Sequence, residues 1–382
     1  MVKELPIEGT QAGAGRPGGH RHKMHEEIFQ QPQAISRTLA GRLGRQAGDV
    51  DWSGTGLDQA ALAQVRHVLF LGSGTAYHAG LVGDALVKQV AGLPARTEPA
   101  SEFRFGEFRV PPGTLAVAVS QSGETKDTLA ALAAARQRGA AAVLAVTNAP
   151  GSAITREADF TFITQAGTEE AVASTKAYMA QLVAVVLLAV GLGRAQETLP
   201  REEAARILAG LAAMPDQVAA VLAEEEAVAQ AGRDLARRRH AFYIGRQMDW
   251  ITAHEGQLKL KETSYIHAEA CAAGEFRHGP MALIDSDYSV VGIVTRPDLE
   301  EMMARNFQEV RRWGAQVVAV APAGSRELAR HADHFLPIPP VEPIFGPMLS
   351  VVPLQLLAYH AAVALGRNVD QPRHLVKSLT ED

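Results

Sequence analysis

The chain has 382 residues, 47% hydrophobic and 21% charged, enough to bury a sizeable core and long enough for two domains rather than one. Its 37 basic and 42 acidic residues leave a net charge of -5, which gives no electrostatic reason to expect nucleic acid or an anionic lipid surface as partner. The single cysteine, Cys271, excludes an internal disulfide and a thiolate metal cluster, and points to a reducing, cytoplasmic setting.

Residues 1–23 are rich in Gly, Pro, Gln and basic residues, carry no signal-peptide pattern and read as a disordered tail. His20, His22 and His25 lie close together at its end, but a polar stretch of this kind reads as solvated rather than metal-binding. From Arg66 onward short apolar runs alternate with helical stretches, the signature of a parallel sheet covered by helices. HVLFLG (67–72), TLAVAVS (114–120), AAVLAVT (141–147) and FTFIT (160–164) read as strands in the first half. HAFYIG (240–245), YSVVGIV (288–294), QVVAVA (316–321) and HFLPI (334–338) repeat the series. Gly72 and Gly245 are 173 residues apart, Asp159 and Asp333 174, Gln181 and Gln355 174, a period that predicts a duplicated α/β domain.

The apolar run from Met179 to Gly193 is interrupted by Gln181 and reads as a core helix, not a membrane span. Residues 197–239, rich in Ala, Leu, Glu and Arg, predict a helical linker with the boundary near Glu225, giving domains 24–225 and 226–382. In such proteins ligands sit at the carboxyl ends of strands.

After the strand ending at Ser120 comes SQSGET (120–125), then an Ala-rich helix. Backbone N–H groups at a helix N-terminus, with the hydroxyls of Ser120, Ser122 and Thr125, suit a phosphate; the same string also reads as a Ser/Thr-capped connection without a ligand. GSGTAY (72–77) follows another strand, but Tyr77 stands where a dinucleotide fingerprint needs a small residue, so no nicotinamide cofactor is expected. A loop lining the same candidate phosphate pocket suits GSGTAY, Thr75 included, better. Glu255, Lys259 and Glu262 share one helical face and read either as an acid-base set or as a surface ion-pair ladder. His278 ends this stretch in a turn, and Lys377 taken alone reads as a solvated tail residue.

Together, MHEEIFQQPQAI (24–35), SQSGETKDTL (120–129), AGTEEAVASTKAY (166–178), the stretch 255–285 and VDQPRHLVKSLTED (369–382) resemble the isomerase half of glucosamine-fructose-6-phosphate aminotransferase, built of two SIS (sugar isomerase) domains. The resemblance runs from Met24 to Asp382. It implies that Ser120, Gln121, Ser122 and Thr125 hold a phosphate, and that Val172 and Ser174 line the sugar pocket. It further implies that His278 helps open the sugar ring, that Lys377 forms a Schiff base with the open ketose, and that Glu262 moves a proton between C1 and C2, supported by Glu255 and Lys259. No cofactor or metal is implied, and a homodimer is, with His278 supplied across its interface. Ala76 departs from the family's phosphate-binding serine.

The sequence has no counterpart of the family's glutaminase domain, so the expected activity is interconversion of glucosamine 6-phosphate with fructose 6-phosphate plus free ammonia, weighted to deamination. Alternatives are a deglycase or isomerase of another phosphorylated keto-amine, separable with a substrate panel, and a synthase subunit fed by a separate glutaminase. A non-catalytic sugar-phosphate sensor would need the phosphate loop but not Glu262, His278 and Lys377.

Overall fold

The computed structural model describes residues 19–377. The first half runs α1 (Lys23–Phe29), α2 (Gln31–Leu39), α3 (Gln59–Ala63), β1 (His67–Gly72), α4 (Thr75–Leu86), β2 (Ala95–Pro99), α5 (Ala100–Phe103), β3 (Thr114–Ser120), α6 (Lys126–Gln137), β4 (Ala142–Thr147), α7 (Ala153–Glu157), β5 (Phe160–Ile163) and α8 (Lys176–Ala195). Helices α9 (Arg201–Leu222) and α10 (Glu225–Leu235) fill the stretch read as helical. The second half continues with β6 (His240–Gly245), α11 (Met248–Ser264), β7 (His267–Ala272), β8 (Tyr288–Ile293), α12 (Glu300–Arg312), β9 (Gln316–Pro322), α13 (Arg326–His331), β10 (His334–Ile338) and α14 (Gly346–Ala364).

Both sheets are parallel and five-stranded, ordered β2-β1-β3-β4-β5 and β10-β9-β8-β6-β7. The second order is the first one repeated, because β7 flanks β6 as β2 flanks β1. The eight strands read from apolar runs are present to within a residue at each end. Strands β2 and β7 are additions to that reading: ARTEP and HAEACA are edge strands with charged or exposed positions, so neither carries the apolar run that marks a strand buried on both faces.

Helices cover both faces of each sheet. Along β1 and β3, Val68, Phe70, Val117 and Val119 face a core shared with α4 and α8, while Leu69, Leu71, Ala116 and Ala118 face α5, α6 and α7. Tyr243, Val291 and Ile293 of the second sheet point into that same shared core, so the halves join through their helical layers rather than through a linker alone. Close approach is duplicated too. A Cβ on Gly83 of α4 would lie 2.6 Å from the Phe70 ring, and one on Gly256 of α11 2.8 Å from the Tyr243 ring. The repeated aspartates do one job: Asp159 Oδ2 accepts from Val143 N–H at 2.8 Å, and Asp333 Oδ2 from Val317 N–H at 2.8 Å.

The apolar run forms α8, hydrophobic all round and buried inside the protein. It is 20 residues long, so length does not set it apart from a membrane-spanning helix; enclosure by neighbouring elements accounts for its composition.

Residues 1–18 of the expected tail lie outside the described residues. The rest of that stretch is not loose: α1 begins at Lys23, His22 Nδ1 lies 2.9 Å from the Tyr359 hydroxyl, and the His25 ring stacks on Tyr359 with centroids 4.7 Å apart. The expectation of solvated histidines therefore fails, because the stretch docks on α14.

Candidate active site

A cavity of about 240 Å³ opens at the carboxyl ends of β1 and β3, where the strand order reverses. Its floor is the turn after β3. Thr125 precedes α6 in extended backbone without a side-chain cap, so the first turn of that helix keeps its N–H groups free of side-chain acceptors. Ser120 Oγ accepts from Gly123 N–H at 3.1 Å and pairs with Thr125 Oγ1 at 3.1 Å; Ser122 Oγ accepts from Glu124 N–H at 3.2 Å. Gly123 sits at φ +66, and a Cβ there would lie 2.1 Å from Ser152 Oγ, so the tight turn needs glycine. The uncapped N-terminus of α4, with Ser73, Gly74, Thr75 and Ala76, forms the neighbouring wall. Two helix N-termini and a ring of hydroxyls thus favour an anion.

The opposite wall is α11. Lys259 Nζ lies 2.6 Å from Glu262 Oε2 and 3.4 Å from Glu255 Oε1. The side chains of Glu255 and Lys259 are fully buried and that of Glu262 is 21% exposed, so the triad is not a surface ladder. Burial alone would lower the Lys259 pKa, but Glu255 and Glu262 outweigh it and hold the ammonium well above its ordinary value. Thr75 Oγ1 accepts from Lys259 Nζ at 3.0 Å and donates to Glu255 Oε1 at 3.1 Å; His78 Nδ1 lies 2.6 Å from Glu255 Oε2. Thr75 lines the cavity, yet its hydroxyl is committed to this network.

Lys377 does not trail into solvent. Its Nζ donates to Glu169 Oε2 at 2.6 Å and to the Ala171 carbonyl at 2.8 Å, and the residue lines the cavity with Leu375 and Val376. The segment leading to it is anchored. The Asp370 carboxylate accepts from Lys23 and Met24 N–H at the start of α1, its carbonyl accepts from Val172 N–H, and Arg373 N–H donates to the Tyr265 hydroxyl.

Glu169 was not singled out from sequence. Its Oε1 accepts from Thr175 and Ala177 N–H, capping the start of α8, and its Oε2 takes the Ser174 hydroxyl together with Lys377. Full burial would raise this carboxyl's pKa, but Lys377 and the two backbone donors hold it below the ordinary range. Glu27 of α1 supports the same loop, accepting from Ala171 N–H; burial and the Glu169 charge push it up to about 8. Ser73 Oγ, Thr128 Oγ1 and Gln181 Oε1 also went unflagged: each lines the cavity as a buried atom with no hydrogen-bond partner among the described residues. The available signal was local, since Glu169 is an acid placed shortly ahead of a largely apolar helix.

Thr75, Ser120, Gln121, Ser122, Thr125, Val172, Ser174, Lys259, Glu262 and Lys377 therefore share one cavity, with Glu255 directly behind it. His278 is not among them. It lies in an exposed turn after β7 and does not line this cavity. The set can bind an anion, hold a carboxylate and an amine near a bound carbon skeleton, and fix one buried cation between two acids.

A duplicated doubly wound sheet with this cradle at the switch point defines an α/β protein with an anion-binding cavity, and the chain belongs to the SIS domain family, whose pattern matches residues 61–191 and again 234–365. More particularly, it is 50% identical over 368 residues to the glutamine-fructose-6-phosphate aminotransferase (isomerizing) of Symbiobacterium thermophilum, covering 96% of this chain and 60% of that protein. The Escherichia coli K12 protein of the same name is 41% identical over 380 residues, covering 99% of this chain and 62% of that one. The chain thus spans about 60% of the length of the curated relatives it matches. Among solved structures, the C-terminal domain of glucosamine-fructose-6-phosphate aminotransferase from Francisella tularensis superimposes with a TM-score of 0.88 at 32% identity, covering 94% of this chain and 100% of that one. A glucosamine-6-phosphate deaminase from Thermotoga maritima shares the fold, with a TM-score of 0.71 at 22% identity over 93% of this chain and 99% of that one.

Proposed function

We propose that this chain interconverts glucosamine 6-phosphate with fructose 6-phosphate and ammonia through an imine on Lys377. The observation that carries the reading is one cavity holding the anion cradle, the Glu262 carboxylate and the Lys377 amine together. The names of the relatives supply the sugar class.

In the deaminating direction the phosphate rests on Ser120, Gln121, Ser122 and Thr125, which places the opened chain between α11 and the segment bearing Lys377. Glu262 removes the C2 proton and returns it to C1 while one amine proton passes to the C1 oxygen, so the C1 aldehyde becomes an alcohol and the C2 amine a C2 imine. Lys377 must be neutral to attack C2, so its ammonium proton has to leave first, while Glu169 at 2.6 Å holds the amine in position. Attack expels ammonia and forms the lysine imine; water then cleaves the C2–N bond and releases fructose 6-phosphate. One water is consumed for each ammonia released. Lys259, held charged by its two acids, offsets negative charge that builds during proton transfer.

His278 serves this scheme from a second copy of the chain, since its own cavity lies elsewhere. Light scattering should give a dimer, and a monomer that is fully active would contradict that assignment. The decisive experiment is ammonia release by the purified chain from glucosamine 6-phosphate, run beside a panel of other phosphorylated amines. Turnover of another phosphorylated amine alone would favour the deglycase reading, and no turnover of any would remove the proposal.

A further inference from the structure

Away from the cavity, three ligand-type side chains from distant parts of the sequence converge: His25 of α1, Glu225 at the start of α10 and His360 of α14. His25 Nε2 lies 2.6 Å from Glu225 Oε1, and His360 Nε2 lies 3.0 Å from the same oxygen. All three ligand atoms fall within 4.8 Å of one another. Their side chains are 15%, 28% and 17% exposed, which leaves one approach open to solvent.

A carboxylate on a surface pairs readily with one cation, but two imidazoles aimed at a single oxygen is the donor arrangement of a metal centre. The His25 ring is also fixed from behind. His25 Nδ1 lies 2.9 Å from His20 Nδ1, and its ring stacks on Tyr359 with an interplanar angle of 7°. A partner on the second ring nitrogen is what sets the tautomer and orientation of a ligating histidine. We propose that His25, Glu225 and His360 form a binding site for a divalent transition-metal ion of the zinc type, with a fourth position open to water.

The chemistry of the donors selects the ion: two imidazole nitrogens and one carboxylate oxygen suit zinc, cobalt or nickel rather than magnesium or calcium. Bonds of about 2.0–2.1 Å in tetrahedral geometry put ligand atoms roughly 3.3 Å apart. The observed 2.6 and 3.0 Å are hydrogen-bonded distances, and these two edges of the triangle need to open by less than 1 Å. Coordination needs Nε2 of both rings unprotonated, with the ring proton on Nδ1; in His25 that nitrogen faces His20 Nδ1, which then accepts. The ion would join α1 to α10 and α14, tying residues 200 and 135 positions apart in sequence.

The test uses the full chain, free of any affinity tag and stripped with chelator. Calorimetric titration with zinc chloride should give one equivalent bound per chain. Cobalt loading should give the visible absorption of a four-coordinate nitrogen and oxygen site. His360→Ala and Glu225→Gln should each weaken zinc binding by about 100-fold or more, and His20→Ala, which acts behind His25, by about 10-fold. Zinc should raise the melting temperature of the native chain and leave both ligand variants unmoved. Glu225→Gln keeps the shape of the cluster, so it decides the matter if His360→Ala misfolds. Absence of zinc uptake by the native chain, or equal uptake by native chain and ligand variants, overturns the proposal.

Discussion

The two halves of this molecule repeat the same strand order, and even the same backbone where the first strand of each hands over to its helix. Gly74 sits at φ 55, ψ -127, and Gln247, 173 residues later, at φ 56, ψ -128. Each half opens a cavity there, about 240 Å³ in the first and about 670 Å³ in the second. Their linings diverge. Where the first half has Ser73, Gly74 and Ala76, the second has Arg246, Gln247 and Asp249. Gln247 takes a left-handed φ that costs a side-chain-bearing residue what glycine does not lose. Asp249 is buried and accepts from Thr295 N–H and hydroxyl at 2.9 and 2.7 Å, yet burial still pushes it up to about 7. The counterpart of Ala76 in the second cavity is thus a carboxyl rather than a methyl group. The duplicated fold supplies a location twice; a handful of side chains at the strand ends decides which copy presents an anion cradle.

The most severe challenge to that contrast is Lys377→Ala, expected to cut ammonia release by about 10⁴-fold or more, the scale of losing a covalent nucleophile. Borohydride with fructose 6-phosphate should tether sugar to the native chain and not to this variant. Glu262→Gln should lower kcat by about 10²–10³-fold with KM little changed, as a steady-state assay would show. Ser122→Ala should raise KM by about 10-fold, the loss of one donor to a charged phosphate. Arg296→Ala, in the second cavity, should leave KM within about 2-fold; a comparable rise would mean both cavities bind substrate. Ala76→Ser should lower KM by roughly 5-fold, an added hydrogen bond of about 1 kcal/mol.

The smallest effect concerns stability. Asp249 has its pKa raised from an ordinary 3.8 to about 7, so the folded state keeps a proton that the unfolded chain sheds between those values. Stability therefore falls as pH rises through that window and is retained below it. Asp249→Asn should flatten this slope in melting curves between pH 4 and 8, with activity little altered.

Strands buried on both faces were legible because burial leaves their middle positions apolar, as in the LAVAV of TLAVAVS. Edge strands β2 and β7 were not, since Arg96, Glu98, His267 and Glu269 break the pattern that burial imposes. The candidate cavity was legible as separate strings, and the resemblance joined them. Glu169 stayed hidden because its pairing with Lys377 spans 208 positions and leaves no periodic trace. His25 was misjudged for the same reason: its partners Glu225 and His360 come from helices that no local window contains.

Asp370 clasps the first helix with its carboxylate and the loop at Val172 with its carbonyl, seven residues ahead of Lys377. Early and late portions of the polypeptide therefore act as a single hinge pin for the amine. Trimming or crowding the chain near Lys23 would slacken that pin, so the start of α1 governs how accurately Lys377 is held at the cavity.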